Sequence, residues 1–266
     1  MKKNIKKFLS IILVIVLIIS IIYIVNYIRT ITKDKSDLKQ IQSIMNVEKI
    51  QDNDNTSVAD ENVNNNVKVN LIEGFKTVQS ENSNIVAWIT IEDTNINYPI
   101  LQGKDNDYYL DKNYKNEYTV NGSIFLDYRY DFSKDNMNFF VYGHNNNDQM
   151  MFNDLIKYKD KEFFDNHKTV RIITSTDIID YEIFSIFKSQ VYTQDDVNVF
   201  RYYNYIDLSN EKTYEQYVSN CVNSSMYDID IKPEYGDKII TLSTCEYSKP
   251  NGRFVVVAMK KNIEEN

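Results

Sequence analysis

The sequence predicts a mainly β protein, a closed or nearly closed eight-stranded barrel with several helices, preceded by one N-terminal transmembrane helix. Three observations point there. Phe8 to Val25 carries no charge, and 15 of these 18 positions are Phe, Leu, Ile or Val. From Ile85 onward, eight short runs rich in β-branched and aromatic residues recur between turn-forming segments. Helical periodicity, in contrast, is confined to a few short stretches between those runs.

The apolar run spans ~27 Å at ~1.5 Å per residue, close to the ~30 Å hydrocarbon core, and Tyr23 and Tyr27 suit the membrane interface. It is assigned as a transmembrane anchor over residues 8–28. No small-residue cleavage site follows it, which argues against a cleaved signal peptide, and no lipobox cysteine is present. Lys2, Lys3, Lys6 and Lys7 precede the span, while Arg29, Lys33, Lys35 and Lys39 follow it mixed with Asp34 and Asp37, a bias toward a cytoplasmic N-terminus. The tail at 1–7 is too short for a domain, so function is expected after the span.

Ile31, Leu38, Ile41, Ile44, Met45 and Ile50 fall at helical spacing and predict a short amphipathic stalk. Gln51 to Asn70 turns Asn- and Asp-rich without a sustained period. Residues 29–70 are therefore read as stalk plus flexible linker, the last twenty reaching roughly 25 Å. A catalytic domain is expected over 71–266, opening with Leu71, Phe75 and Val78 on one helical face.

Strands are predicted at 85–91, 96–101, 123–126, 139–142, 170–174, 178–189, 238–243 and 254–259. Helices are predicted at 149–158, 161–166 and 210–226. In the last of these, Tyr214, Tyr217, Val218 and Cys221 share a face. Six Gly and three Pro are few for 266 residues, so turns must draw on Asn and Asp, and 21 Tyr promise many half-buried rings.

Charge excludes one class of function. Residues 1–35 hold seven Lys or Arg against one acidic residue, leaving 23 basic against 37 acidic elsewhere, a balance of −14. Such a surface does not neutralise phosphates, so nucleic-acid binding is not expected. Two cysteines, Cys221 and Cys245, give neither a disulfide scaffold nor CxxC zinc spacing, though one disulfide between them stays open. No metal or cofactor site is expected.

The chain has two histidines. His144 follows the strand-like Phe139-Phe140-Val141-Tyr142 and a Gly, at the junction of strand and loop where catalytic groups are often presented. His167 ends a charged helical segment and reads as a solvated helix terminus. Cys245 closes the run Ile239-Ile240-Thr241-Leu242-Ser243-Thr244-Cys245, a buried strand carrying a thiol to its end, whereas Cys221 sits on an apolar helix face as an inert core thiol. Arg253 lies eight residues beyond Cys245, after the turn Pro250-Asn251-Gly252, so a hairpin would return its guanidinium toward the thiol.

Together these three residues suit acyl transfer. A free thiol, with pKa ~8.5, is only slightly ionised at neutral pH and needs a base or cationic neighbours to act as a nucleophile. His144 can exchange the proton. Arg253 can donate to the oxyanion formed at a carbonyl under attack, and one preorganised donor of this kind contributes about 3 kcal/mol.

The blocks Thr241-Leu242-Ser243-Thr244-Cys245 with Arg253, and Tyr142-Gly143-His144-Asn145, resemble the signatures of sortases. Ile85-Val86-Ala87-Trp88-Ile89, Asn95 to Ile100, Lys104 to Leu110 and Gly122 to Asp127 resemble class B in particular, so the resemblance covers roughly Leu71 to Lys261 in the family's order. It implies a sortase-type barrel with a helical insertion between the sixth and seventh strands. It also implies a cysteine transpeptidase on the outer face of a bacterial membrane, with its N-terminus in the cytoplasm.

By the same resemblance, Cys245 would cleave a C-terminal sorting signal of secreted proteins after its Thr, and an amine of a peptidoglycan precursor would release the thioacyl enzyme. Asn106, Leu110, Ser243 and Glu246 match class B positions that line the sorting-signal groove. Calcium is not implied. Ala87 stands where the family has Gly, and Tyr192 to Asp207, expected to wall the groove, matches no family segment. Two alternatives are a surface cysteine peptidase that passes its acyl group to water and a tethered binding module with an inert thiol.

Overall fold

The computed structural model describes residues 2–45, 61–135, 137–146 and 148–261, and the chain divides into two units, Met1–Ile41 and Gln42–Asn266. In the first, α1 (Lys2–Met45) runs as one helix of 44 residues. Its apolar stretch from Ile5 is long enough to cross a membrane, and the Ile, Leu and Val side chains from Ile5 to Ile28 stand exposed. The expected stalk is thus continuous with this apolar stretch as far as Met45. No Gly or Pro occurs in the segment to end it.

Residues 46–60 lie outside the described residues, and with them part of the expected linker. Residues 61–70, read from composition as linker, instead begin α2 (Glu61–Glu81). The reason is a four-residue step, Val67, Leu71, Phe75, that continues the helical face upstream. Phe75 and Val78 are fully buried where α2 packs on the first and fifth strands.

Eight strands close into a barrel. They are β1 (Ile85–Thr90), β2 (Asn97–Gln102), β3 (Ile124–Leu126), β4 (Phe139–Tyr142), β5 (Thr169–Ile173), β6 (Ile178–Gln190), β7 (Ile239–Cys245) and β8 (Gly252–Lys260). Their order is β1-β2-β3-β4-β7-β8-β6-β5, closed by pairing of β5 with β1. Every predicted run is a strand within two residues of its expected bounds. β2–β3 and β4–β7 are parallel and the other pairs antiparallel. Ala87 is fully buried beside a bulge in the β1–β2 ladder.

The helices depart more from expectation. α3 (Lys161–Asn166) forms as predicted. The stretch 149–158 does not form an α-helix: a 3-10 segment, Asn153–Lys159, replaces it. Gln149 and Met151 take positive φ angles of 60° and 55°, which no helical turn accommodates. α4 (Glu211–Ser224) starts at Asn210, whose side chain accepts from the Thr213 N–H at 3.1 Å.

α4 and the segment around Tyr202 explain why β7 is buried on both faces instead of alternating. Tyr217 and Cys221 lie fully buried in the layer between α4 and the sheet. Tyr217 Oη bonds Thr241 Oγ1 at 2.6 Å, and Ser185 Oγ on β6 donates to the Cys221 carbonyl at 2.6 Å. With its outer face covered, β7 emerges only at its C-terminal end.

Candidate active site

The parallel pairing of β4 with β7 sets the site. Tyr142 is in register with Ser243, so both strands end at one barrel edge and release Gly143-His144 beside Thr244-Cys245. Three contacts extend the junction beyond the ladder. Gly143 N donates to Ser243 O at 3.2 Å, Thr244 Oγ1 to Gly143 O at 2.7 Å, and Asn145 Nδ2 to Cys245 O at 2.9 Å. The thiol and the imidazole therefore leave two adjacent, mutually bonded strand ends.

His144 Nε2 lies 2.8 Å from the Leu110 carbonyl oxygen. A carbonyl only accepts, so Nε2 carries hydrogen and Nδ1 is left for proton transfer. Gly122 supports this contact from below. Its φ is +57°, and a Cβ there would sit 2.5 Å from Leu110 O and 2.9 Å from His144 Cδ2. Only a residue without a side chain lets the imidazole rest against that backbone.

Cys245 pairs across the hairpin with Arg253. Glu246 N donates to Gly252 O at 3.0 Å, so the neighbouring Cys245–Arg253 pair falls at a non-hydrogen-bonded position, where facing side chains approach most closely. The hairpin is longer than the sequence predicted, because β7 continues to Cys245 and β8 starts at Gly252. Arg253 Nη1 donates to Gly252 O at 3.0 Å, which holds the guanidinium at the hairpin end.

Cys245, His144 and Arg253 open onto one cleft of about 470 Å³. Asn106, Leu110 and Ser243 line it too. Ser243 Oγ is taken up by Tyr202 Oη at 2.8 Å, so its hydroxyl already has a partner in the wall.

Glu246 is elsewhere and does not line the cleft. It is only 4% exposed and bonds Lys159 Nζ at 2.6 Å and Ser248 N at 3.0 Å, with a further short bond to Ser248 Oγ. The physical reason is strand alternation, which turns consecutive side chains to opposite faces. Burial alone would raise its pKa, but Lys159 and Ser248 outweigh that and bring it down to about 2.

Residues that sequence reasoning did not name individually also line the cleft, among them Arg129, Val191, Tyr202 and Tyr203. Tyr202 and Tyr203 come from the segment expected to wall the groove, and Val191 directly precedes it. Its aromatic run Phe200-Arg201-Tyr202-Tyr203-Asn204-Tyr205 was the available signal. Cys221 is fully buried and its thiol pKa is pushed up by burial, as suits an inert core residue. Both cysteines are free, so the disulfide left open by composition is absent. His167 caps α3, stacks on Phe163 at 3.9 Å and donates from Nδ1 to the Phe163 carbonyl at 2.7 Å, away from the cleft.

A barrel that brings a strand-end thiol, an imidazole and a guanidinium to one cleft defines a thiol-bearing enzyme-like site. A family model described as the sortase domain matches residues 89–261. Sortase B of Listeria monocytogenes is 40% identical over 193 residues, covering 72% of this chain and 75% of that protein. Sortase B of Staphylococcus aureus is 35% identical over 188 residues, covering 69% and 73%. Among solved structures, sortase B of Bacillus anthracis in complex with AAEK1 superposes with a TM-score of 0.67 at 33% identity, covering 88% of this chain and 98% of that one. The chain belongs to the sortase family of cysteine transpeptidases, and its likeness within the family is to class B.

Proposed function

We propose that this sortase cleaves a C-terminal sorting signal of secreted proteins after its Thr and transfers the new carboxyl end to an amine of a peptidoglycan precursor. The observation that carries the reading is the cross-strand pair of Cys245 and Arg253 beside the strand end that delivers His144, all on one cleft. The Cys245 thiolate adds to the Thr carbonyl, and the oxyanion develops within reach of the Arg253 guanidinium. His144, holding hydrogen on Nε2 through Leu110, takes the Cys245 thiol proton on Nδ1 and hands it on to the leaving amine. The C–N bond breaks and a thioester remains on Cys245. An incoming amine then adds to the thioester, loses its proton to His144 and expels the thiolate. Asn106 and Leu110 hold the peptide on the cleft wall. α1 anchors the chain with its N-terminus in the cytoplasm and the catalytic unit, set at 71–266 by sequence, outside the cell.

The test is mass spectrometry on the full-length chain in detergent, mixed with a panel of Thr-containing sorting-signal peptides with and without triglycine. A thioester adduct on Cys245, followed by amine-joined product, is expected. Hydrolysis that is indifferent to amine would favour a peptidase, and absence of any adduct would favour a binding module.

A further inference from the structure

We propose that Asp127 is a positioning residue that orients Asn106 and Arg129 as paired hydrogen-bond donors on the cleft wall, toward an oxygen-bearing segment of the peptide substrate. The inference rests on the acyl-transfer reading above and extends it to a residue that has no contact with the cleft itself. Asp127 directly follows β3 and is 0% exposed. Its Oδ1 accepts from Arg129 N at 2.9 Å and Arg129 Nε at 2.8 Å. Its Oδ2 accepts from Arg129 Nη2 at 2.7 Å, Asn106 Nδ2 at 3.0 Å and Tyr142 Oη at 3.0 Å.

The three side chains aimed at this carboxylate, those of Asn106, Arg129 and Tyr142, line the cleft, and Asp127 does not. A buried carboxylate costs several kcal/mol unless it is paired and fully hydrogen-bonded, and an aliphatic residue would serve a purely structural role as well. Here burial raises the Asp127 pKa, but the hydrogen bonds from Arg129 and Asn106 outweigh it and hold it below the usual carboxylate range. The charge is kept, and its neighbours are fixed by it.

The consequence is directional. A carboxylate only accepts, so Asn106 must point Nδ2 at Asp127, and Asn106 Oδ1 accepts from Tyr128 N at 3.0 Å. One Nδ2 hydrogen remains for the cleft. Arg129 is clamped by Asp127 on one edge, and its Nη2 also donates to Tyr203 O at 2.9 Å, joining the wall near β3 to the insertion between β6 and β7. Its Nη1 remains for the cleft. Donors so fixed suit carbonyl or amide oxygens of the substrate.

The test is steady-state kinetics of the full-length chain in detergent, on the peptide that the wild type turns over fastest, with active sites counted by alkylation of Cys245. For Asp127→Asn, KM is expected to rise about tenfold or more with kcat per alkylatable site unchanged. Because Asp127 acts through Asn106 as well as Arg129, adding Asp127→Asn to Asn106→Ala should raise KM less than it does alone. Asp127→Glu retains the buried charge but displaces it, and the same rise in KM is expected. Unchanged KM in both variants, a loss confined to the count of active sites, or full additivity with Asn106→Ala would overturn the role. A wild type that transfers no acyl group would instead refute the acyl-transfer reading, so the two failures are distinguishable.

Discussion

Cys245 and Arg253 are direct partners in the β7–β8 ladder, and the geometry that pairs them is set by the hydrogen bond one step further along, from Glu246 N to Gly252 O at 3.0 Å. Residues eight apart in sequence thus stand side by side at the mouth of the cleft. The placement suits a guanidinium meeting charge that develops next to a thiolate.

Arg253→Lys keeps the charge but loses the planar fork, so kcat is expected to fall on the order of a hundredfold with a weaker effect on KM. Cys245→Ala should abolish the thioester. Rapid-quench kinetics with intact-mass detection reads both, and wild-type turnover in Arg253→Ala would remove the guanidinium from the reaction.

Gly122→Ala should disturb His144 without touching it chemically. The positive φ costs an alanine roughly 1–2 kcal/mol, and its Cβ would press on the Leu110 carbonyl and the imidazole. Gly236→Ala is the control, since Gly236 also has positive φ, at +108°, but nothing lies within 4 Å of the added Cβ. Acylation of the Gly122 variant is expected to slow at least tenfold while the Gly236 variant acylates normally. Equal behaviour of the two would show that strain alone matters.

Glu246 couples the hairpin to pH. Its folded pKa, about 2, lies below the ordinary value of 4.5, so its stabilising effect is complete above about pH 4.5 and is lost as pH falls toward 2. Glu246→Gln should be less stable than the parent at pH 7, and the difference should shrink through that window. Urea unfolding at pH 7, 4 and 2.5 measures it, and a difference independent of pH would contradict the assignment.

Cys221 should be dispensable for turnover. Buried against Tyr217 and with its thiol pKa raised, it should resist iodoacetamide in the native protein, which is expected to take one adduct at Cys245 and two after unfolding. Cys221→Ser should retain kcat while losing about 1–3 kcal/mol of stability, because a hydroxyl replaces a buried thiol. Native labelling at both cysteines would count against this picture.

A fragment starting at Glu61 should fold without the anchor, because α2 supplies Phe75 and Val78 to the barrel wall. One starting at Gln79, which loses both, should be measurably less stable. Urea transitions compare them, and a broad, non-cooperative transition in the longer fragment would place the boundary elsewhere.

The long apolar N-terminal helix, the eight strands and the choice of Cys245, His144 and Arg253 as candidate chemistry-bearing residues could be read from the sequence. These are legible because apolar length, β-branched runs and reactive residue types are local properties. The start of α2 was hidden by Asn-rich composition, since packing on β1 and β5, rather than propensity, secures that helix. The 3-10 segment was hidden by the left-handed residues before it. Only the tertiary structure turned Glu246 away from the cleft toward Lys159, and only it gathered Asn106, Arg129 and Tyr142 around Asp127. Those contacts join residues up to 87 positions apart, and their geometry follows from strand register and barrel closure, which no local pattern encodes.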